Sequence, residues 1–224
     1  MNESPLSVQT AFNIGPVHVS TTVVVTWFVI AALTLVSFLL TRRLRIDASG
    51  PQTVLELIVE TVDAQIEGTM QDDPAPYRTL VGTLFLFILI ANWSSMVPGI
   101  EPPTAKIETD AALAVVVFAA TIWHGIRANG PLGYLKTFAE PSWVMIPLNL
   151  VEQITRTFSL MVRLFGNVMS GVFVIGIVLS LAGLLVPIPL MALDLLTGAV
   201  QAYIFAVLAT VFIAAAVGEG KHKR

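Results

Sequence analysis

Apolar runs about as long as a bilayer is thick recur along the chain, and this restricts the fold more than any other feature. The first reads Thr21 to Leu40 with no charged residue. A helix needs roughly 20 mostly apolar residues to cross the hydrocarbon core. The sequence is 55% hydrophobic and 12% charged, about half the charged fraction of an ordinary globular domain. Its mean hydropathy is +0.82. A soluble domain has no surface on which to place so much apolar side chain, so the expected fold is an all-α integral membrane protein.

Hydropathy and punctuation predict about five membrane helices in a single membrane domain spanning residues 1–224. The spans are 21–40, 79–97, 111–125, 143–186 and 190–217. Thr41-Arg42-Arg43-Leu44-Arg45 stops the first, Pro98-Gly99 closes the second, and Pro187-Ile188-Pro189 separates the fourth from the fifth. The last two exceed a straight span and are expected to form a tilted hairpin. The first run is too long for a signal h-region, has no basic n-region before it and no small-residue cleavage pattern after it, so it reads as a retained helix. Between the first two spans, Val54, Leu55, Ile58, Val62 and Ile66 recur at helical spacing opposite Glu56, Glu60, Asp63 and Glu67. Residues 51–67 therefore predict an amphipathic helix at the cytoplasmic surface, its apolar face turned either to the protein's own spans or to a partner.

Five crossings put the termini on opposite sides. Arg42, Arg43, Arg45, Arg78, Arg127, Lys136, Lys221, Lys223 and Arg224 fall on one side, against Lys106 on the other. The positive-inside rule then predicts a cytoplasmic C-terminus and an outside N-terminus. Arg156 and Arg163 belong to no loop; they lie inside the fourth span.

Several chemistries find no support. The absence of cysteine excludes disulfides, thiolate metal sites and cysteine nucleophiles, and His18, His124 and His222 are far apart in sequence. No phosphate-binding glycine loop, serine triad or HExxH pattern appears. The net charge of -3 says little, because the charges cluster between apolar runs, and nothing suggests a nucleic-acid footprint. No metal or cofactor is expected, and no soluble catalytic site is offered. No internal repeat is evident, which counts against an inverted-repeat transporter.

The fourth span carries the chemistry. Asn149, Glu152, Arg156, Ser159, Arg163, Asn167 and Ser170 follow steps of three and four and line one stripe of the helix. A stripe so polar must face another helix or water. Arg163 near mid-bilayer costs at least about 2.5–3.5 kcal/mol and cannot escape by losing its proton, so it needs an anion. The intramembrane acids are Asp194 on the last helix and Glu152 toward the cytoplasmic end. Either Arg163 pairs with Asp194, or the carboxylate comes from a partner helix that approaches across the small residues Gly166, Ser170 and Gly171. On the last helix Asp194, Thr197, Gly198 and Gln201 share a face, and Gln201 can both donate and accept. Asp194 could bind a proton or another cation in a water-lined cleft, or form a salt bridge. Asn92 is a helix–helix hydrogen-bonding group or a channel lining. His124, beside Trp123, reads as an interfacial residue.

At these residues the sequence resembles subunit a of the F-type rotary ATP synthases. Ser159-Leu-Met-Val-Arg163-Leu-Phe-Gly-Asn167 is similar to the family's arginine motif. Leu196-Thr-Gly-Ala-Val-Gln201-Ala-Tyr-Ile-Phe205 is similar to its last-helix glutamine motif, and Thr83 to Asn92, followed by Val97-Pro98-Gly99, to its second span. The resemblance implies a non-catalytic stator subunit in a bacterial inner membrane. Its implied partners are a c-subunit ring bearing mid-membrane carboxylates, b-type peripheral stalk subunits, the lipid bilayer and the translocated H+ or Na+. Two half-channels would lead to the ring, with Arg163 as the essential arginine between them, Asn167 as the channel asparagine and Gln201 as the glutamine near the arginine. An opposite charge lowers a carboxylate's affinity for its proton, so a permanent cation would drive ion release from the ring and block leakage between half-channels. The chain departs from the common pattern at Val172, where an acid is usual, at Asp194, where a histidine is usual, and at Thr157, where many members have proline. These departures suggest a divergent branch and leave H+ and Na+ both open. Competing readings are a self-contained channel, which would need a complete ion circuit within the chain, and a structural scaffold, which would not need Arg163.

Overall fold

In the computed structural model, residues 10–14, 17–42, 50–97, 100–138, 143–183 and 186–221 are described. Pro98 and Gly99, Arg43 and Arg45, His222, Lys223 and Arg224, and residues 184–185 of the expected fourth span lie outside them. The fold is all-α apart from a short antiparallel hairpin, β1 (Thr10–Ile14) and β2 (Val17–Ser20), which pairs Asn13 with His18 and Ile14 with Val17. Among the described residues seven α-helices follow. They are α1 (Thr21–Thr41), α2 (Pro51–Met70), α3 (Ala75–Trp93), α4 (Ile107–Asn129), α5 (Pro131–Phe138), α6 (Met145–Ala182) and α7 (Pro187–Lys221). Five of them, α1, α3, α4, α6 and α7, are long and apolar enough to cross a membrane.

The observed ends differ from the sequence expectation for local reasons. Helix α3 begins at Ala75, ahead of the expected Thr79, because the Asp73 carboxylate accepts the Ala75 N–H at 3.0 Å and Pro76 needs no hydrogen-bond acceptor in a first turn. Helix α4 begins at Ile107, before its apolar run, with Glu108 and Asp110 in a first turn where the helix dipole favours acids. It ends at Gly130, whose φ of 72° suits glycine. Pro187 and Pro189 start α7 instead of standing before it, since a proline costs no hydrogen bond in the first turn. Helix α5 is too short to register as a span, and neither it nor the hairpin was expected from the sequence.

Helices α3, α4, α6 and α7 form the bundle. Its core is Ile88, Ala114, Val117, Leu160, Leu164, Ala202, Phe205 and their neighbours. Helix α1 is largely exposed, with Trp27, Phe28, Leu35 and Phe38 outward and Val29 its buried residue; such a surface suits lipid. Helix α2 lays Ile66 and Val62 on Tyr77, Val81, Ala206, Ile213 and Val217 of α3 and α7. The Tyr203 hydroxyl donates to Gln65 at 2.7 Å, and Arg78 pairs with Asp63 at 2.5 Å. The C-terminal half of the amphipathic helix is thus a packing face against the protein's own spans, while Val54 and Leu57 stay exposed.

Close approaches set the height of one helix against another. A Cβ on Gly125 of α4 would lie 2.6 Å from the Tyr134 ring and 3.3 Å from the Ala216 Cβ, so the bare glycine lets α4, α5 and α7 meet. Asn129 also donates to the Ala216 carbonyl at 3.0 Å. Ile66 is fully buried, so Ile66→Ala should destabilise the docking of α2 by about 2–5 kcal/mol. The readouts are a lower melting temperature in detergent and faster proteolysis within residues 50–71.

Candidate functional site

The site is built on the α6–α7 hairpin. Helix α6 places Asn167 so that its Nδ2 donates to the Thr197 carbonyl of α7 at 3.4 Å. One turn on, Gly171 lies against Asp194, and a Cβ there would sit 2.0 Å from Asp194 Oδ1. These two contacts run in opposite chain directions and fix an antiparallel register. Arg163 is one turn before Asn167 and Gln201 one turn after Thr197, so the register sets Arg163 and Gln201 at the same height.

The predicted polar stripe divides in two. Asn167 turns into the α6–α7 interface, while Ser159, Arg163, Gly166 and Ser170 are exposed on the outer face of α6. Arg163 opens into a surface groove of about 530 Å³ shared with Glu152, Arg156, Ser159, Leu208 and Phe212. Among the described residues the ion pairs are Arg78–Asp63, Lys106–Glu101 and Arg156–Glu152. Arg163 has no acid partner in this set, so the expected alternative of an Arg163–Asp194 pair is not formed. Glu152 is bound one turn along its own helix by Arg156, whose guanidinium also lies 5.5 Å from the Phe212 ring centre.

Polar groups gather at both ends of this level. Toward α5, a narrow cleft of about 100 Å³ between α4, α5, α6 and α7 is lined by Thr121, Tyr134, Asn149, Glu152, Gln153 and Arg156, among others. It shares Glu152 and Arg156 with the Arg163 groove. Toward the α3–α4 connection, Ser95 donates to Asp194 at 3.3 Å and Trp93 Nε1 donates to the Leu195 carbonyl at 3.2 Å. Asn92 is buried; its Nδ2 donates to the Gly198 carbonyl at 2.9 Å, and its Oδ1 accepts from the Thr104 hydroxyl at 2.7 Å. Of the two readings open for Asn92, the structure forms the helix–helix hydrogen bond. His124 stacks obliquely on Tyr77, ring centres 4.8 Å apart. No group of three His, Cys, Asp or Glu able to hold a metal occurs among the described residues.

Known proteins supply the family. A family model described as ATP synthase A chain matches residues 23–214. This chain belongs to the ATP synthase A chain family. It is 57% identical to ATP synthase subunit a 2 of Bradyrhizobium sp., covering 97% of this chain and 98% of that protein. It is 45% identical to ATP synthase subunit a of Albidiferax ferrireducens, over 93% of this chain and 91% of the relative. It is 48% identical to ATP synthase subunit a 1 of Chlorobaculum parvum, over 90% of each. Membership of the ATP synthase A chain family gives the protein the role of an a subunit, multi-pass in the membrane, with partners in the membrane sector of that complex.

Sequence reasoning missed one acid of this family member. Asp110 is fully buried in the first turn of α4, so Asp194 and Glu152 are not the only acids within the spans. The signal was present: Asp110 directly precedes the apolar run, but ending the span at Ala111 left it outside. Thr104, Ser95 and Tyr134 were also missed, because loop and short-helix residues carry no periodicity that points them inward.

Asn92→Ala should leave the Thr104 hydroxyl, itself fully buried, without its acceptor. Stranding one such group costs about 1–3 kcal/mol, and thermal unfolding in detergent should register that loss.

Proposed function

We propose that this chain carries two offset half-channels to a ring of c subunits, and that Arg163 separates them and drives ion release from the ring carboxylates. The observation that carries this reading is Arg163 itself: a permanent cation on the exposed face of a membrane helix, without an acid partner among the described residues. A charge in that setting needs an anion, and its position on the outer face of α6 suits one brought by a neighbouring subunit. Gly166 and Ser170 beside it would let a partner helix approach closely.

The surroundings support two half-channels. The cleft toward α5, lined by Asn149 and Glu152, fits one of them, with Ser159 in the adjoining Arg163 groove. The cluster of Asp194, Ser95 and Asn167 toward the α3–α4 connection fits the other, with Ser170 on the outer face of α6. Asp194 would exchange the ion on that side. Gln201, at the height of Arg163, would hold or relay to the guanidinium. The basic residues favour a cytoplasmic α5 end and C-terminus, with the N-terminus outside, in a bacterial inner membrane. On this reading b-type stalk subunits hold the chain against the ring, and proton or sodium flow couples to ATP synthesis or drives pumping in reverse.

Arg163→Ala should leave the complex assembled and lower ATP-driven ion uptake into vesicles by more than about tenfold, or about 1.4 kcal/mol on the barrier. Normal uptake by that variant would refute the mechanism. Uptake measured with and without Na+, and with a protonophore, identifies the ion. A proton-coupled enzyme ignores Na+ and loses its gradient to the protonophore; a sodium-coupled one requires Na+ and keeps accumulating it. Asp194→Asn should slow uptake while Arg163 still blocks passive leakage, and unchanged uptake at every pH and Na+ concentration would make Asp194 structural.

A further inference from the structure

Two buried polar groups have no hydrogen-bond partner among the described residues: both carboxylate oxygens of Asp110, and Nε2 of Gln201. Asp110 is 0% exposed and Gln201 6%. One group can only accept unless it is protonated; the other can only donate.

The helix registers bring them to one level. Asp110 heads the buried stripe of α4 that continues through Ala114, Val117 and Thr121 to Gly125. Gly125 lies on Ala216 of α7. Asn92 links Thr104, just before α4, to Gly198 of α7, and Gly125 toward the far end of α4 meets Ala216 further along α7, so the two helices run in the same direction. Gln201 precedes Ala216 by as many residues as Asp110 precedes Gly125. Equal rise per residue then sets Asp110 and Gln201 at the same height on adjacent helices. The α6–α7 register brings Arg163 to that height as well.

Charged groups on the surrounding elements are engaged elsewhere or lie apart. Lys106, four residues before Asp110, pairs with Glu101 at 3.0 Å. On α6, Glu152 and Arg156 pair with each other, and Arg163 opens into the outer groove. On α7, Asp194 accepts from Ser95. On α3, Arg78 pairs with Asp63 of α2, and α1 carries no charged residue. A carboxylate so enclosed, without a donor, is not held bare and ionised; it is neutralised by what binds it.

We propose that Asp110 and Gln201 form a binding site for one monovalent cation, a proton or a sodium ion, on the translocation route behind Arg163. This rests on the ion-translocating reading above. In the proton form the Asp110 hydroxyl donates to Gln201 Oε1, and Gln201 Nε2 donates to the Asp110 carbonyl oxygen, so both unsatisfied groups are served at once. In the sodium form an Asp110 oxygen and Gln201 Oε1 ligate the ion.

The test uses the whole ATP synthase in lipid vesicles, with protons and sodium ions as the probes. Asp110→Asn keeps the shape and can still pair with Gln201, but cannot bind and release a cation. It should assemble normally and lower ATP-driven uptake by more than about tenfold. Infrared difference spectra reveal the ion without relying on activity. A proton site gives a pH-dependent carboxylic-acid carbonyl band that Asp110→Asn removes and Gln201→Leu shifts. A sodium site gives instead a Na+-dependent carboxylate band with the same behaviour in the two variants. Unchanged uptake by Asp110→Asn overturns the proposal. So does the absence from the wild-type spectra of any band, under either ion, that responds to Gln201→Leu, and this second criterion holds even if Asp110→Asn fails to assemble. Normal pumping by Arg163→Ala would remove the parent reading while leaving the Asp110 band in place, so the two failures are distinguishable.

Discussion

The register of α6 on α7 is the constraint on which the rest of the bundle's functional geometry depends. Two small contacts hold it: Asn167 on the Thr197 carbonyl and Gly171 against Asp194. Neither contributes much energy alone, since a net hydrogen bond is worth about 0.5–1.5 kcal/mol. Their effect is geometric. A side chain at residue 171 would collide with the Asp194 carboxylate, and a slip of one turn would leave Asn167 away from its carbonyl. With the register set, Arg163 and Gln201 stand level, and the outer face of α6 presents the arginine between two polar regions.

A bilayer gives no hydrogen bonds to stray polar groups, so the polar side chains of this bundle are arranged to serve one another. Asn92 makes two such links. It takes the Thr104 hydroxyl and gives its amide to Gly198, tying the α3–α4 connection to the N-terminal half of α7. Thr26, Thr34, Thr121 and Thr210 instead return their hydroxyls to the carbonyl one turn back on their own helices, which lets them sit in apolar surroundings. Against this background Asp110 and Gln201 Nε2 stand out as groups left unserved. In a medium where each such omission is costly, they are where a bound ion has a reason to be.

The spans were legible because hydropathy and length alone decide which segments cross a bilayer. The arginine stripe was legible because helical spacing needs no tertiary information. What periodicity could not supply was direction within the assembled bundle. It grouped Asn167 with Arg163, yet one faces α7 and the other faces outward, a division set by where α7 packs. It left Asn92 and the apolar face of residues 51–67 undecided, because their partners, Gly198 and Thr104 for the first and Ile213 and Val217 for the second, are distant in sequence. It lost Asp110 because an acid at the start of an apolar run looks like a boundary, whereas the helix dipole and the buried 103–105 turn draw it inside. The eight-residue α5 was invisible because, between Gly130 and the proline-containing stretch after it, it is too short for a periodic signal.

In the proposed mechanism the cost of Arg163 and its usefulness have one origin. A guanidinium bound to an acid of its own helix would be compensated and inert, as exposed Arg156 is beside exposed Glu152. Arg163 is held instead at the surface of α6, level with the uncharged Gln201, where a passing carboxylate can approach and leave. The attraction must be strong enough to strip the ion from that carboxylate and weak enough to release it as the ring turns. Partial exposure serves this balance, because an ion pair open to water is worth far less than one fully enclosed. Each charge that completes the crossing yields about 2.3 kcal/mol per 100 mV, so an arginine that bound its partner more tightly than this would stall the cycle it separates. The open groove around Arg163 is therefore as much a part of the proposed mechanism as the charge itself.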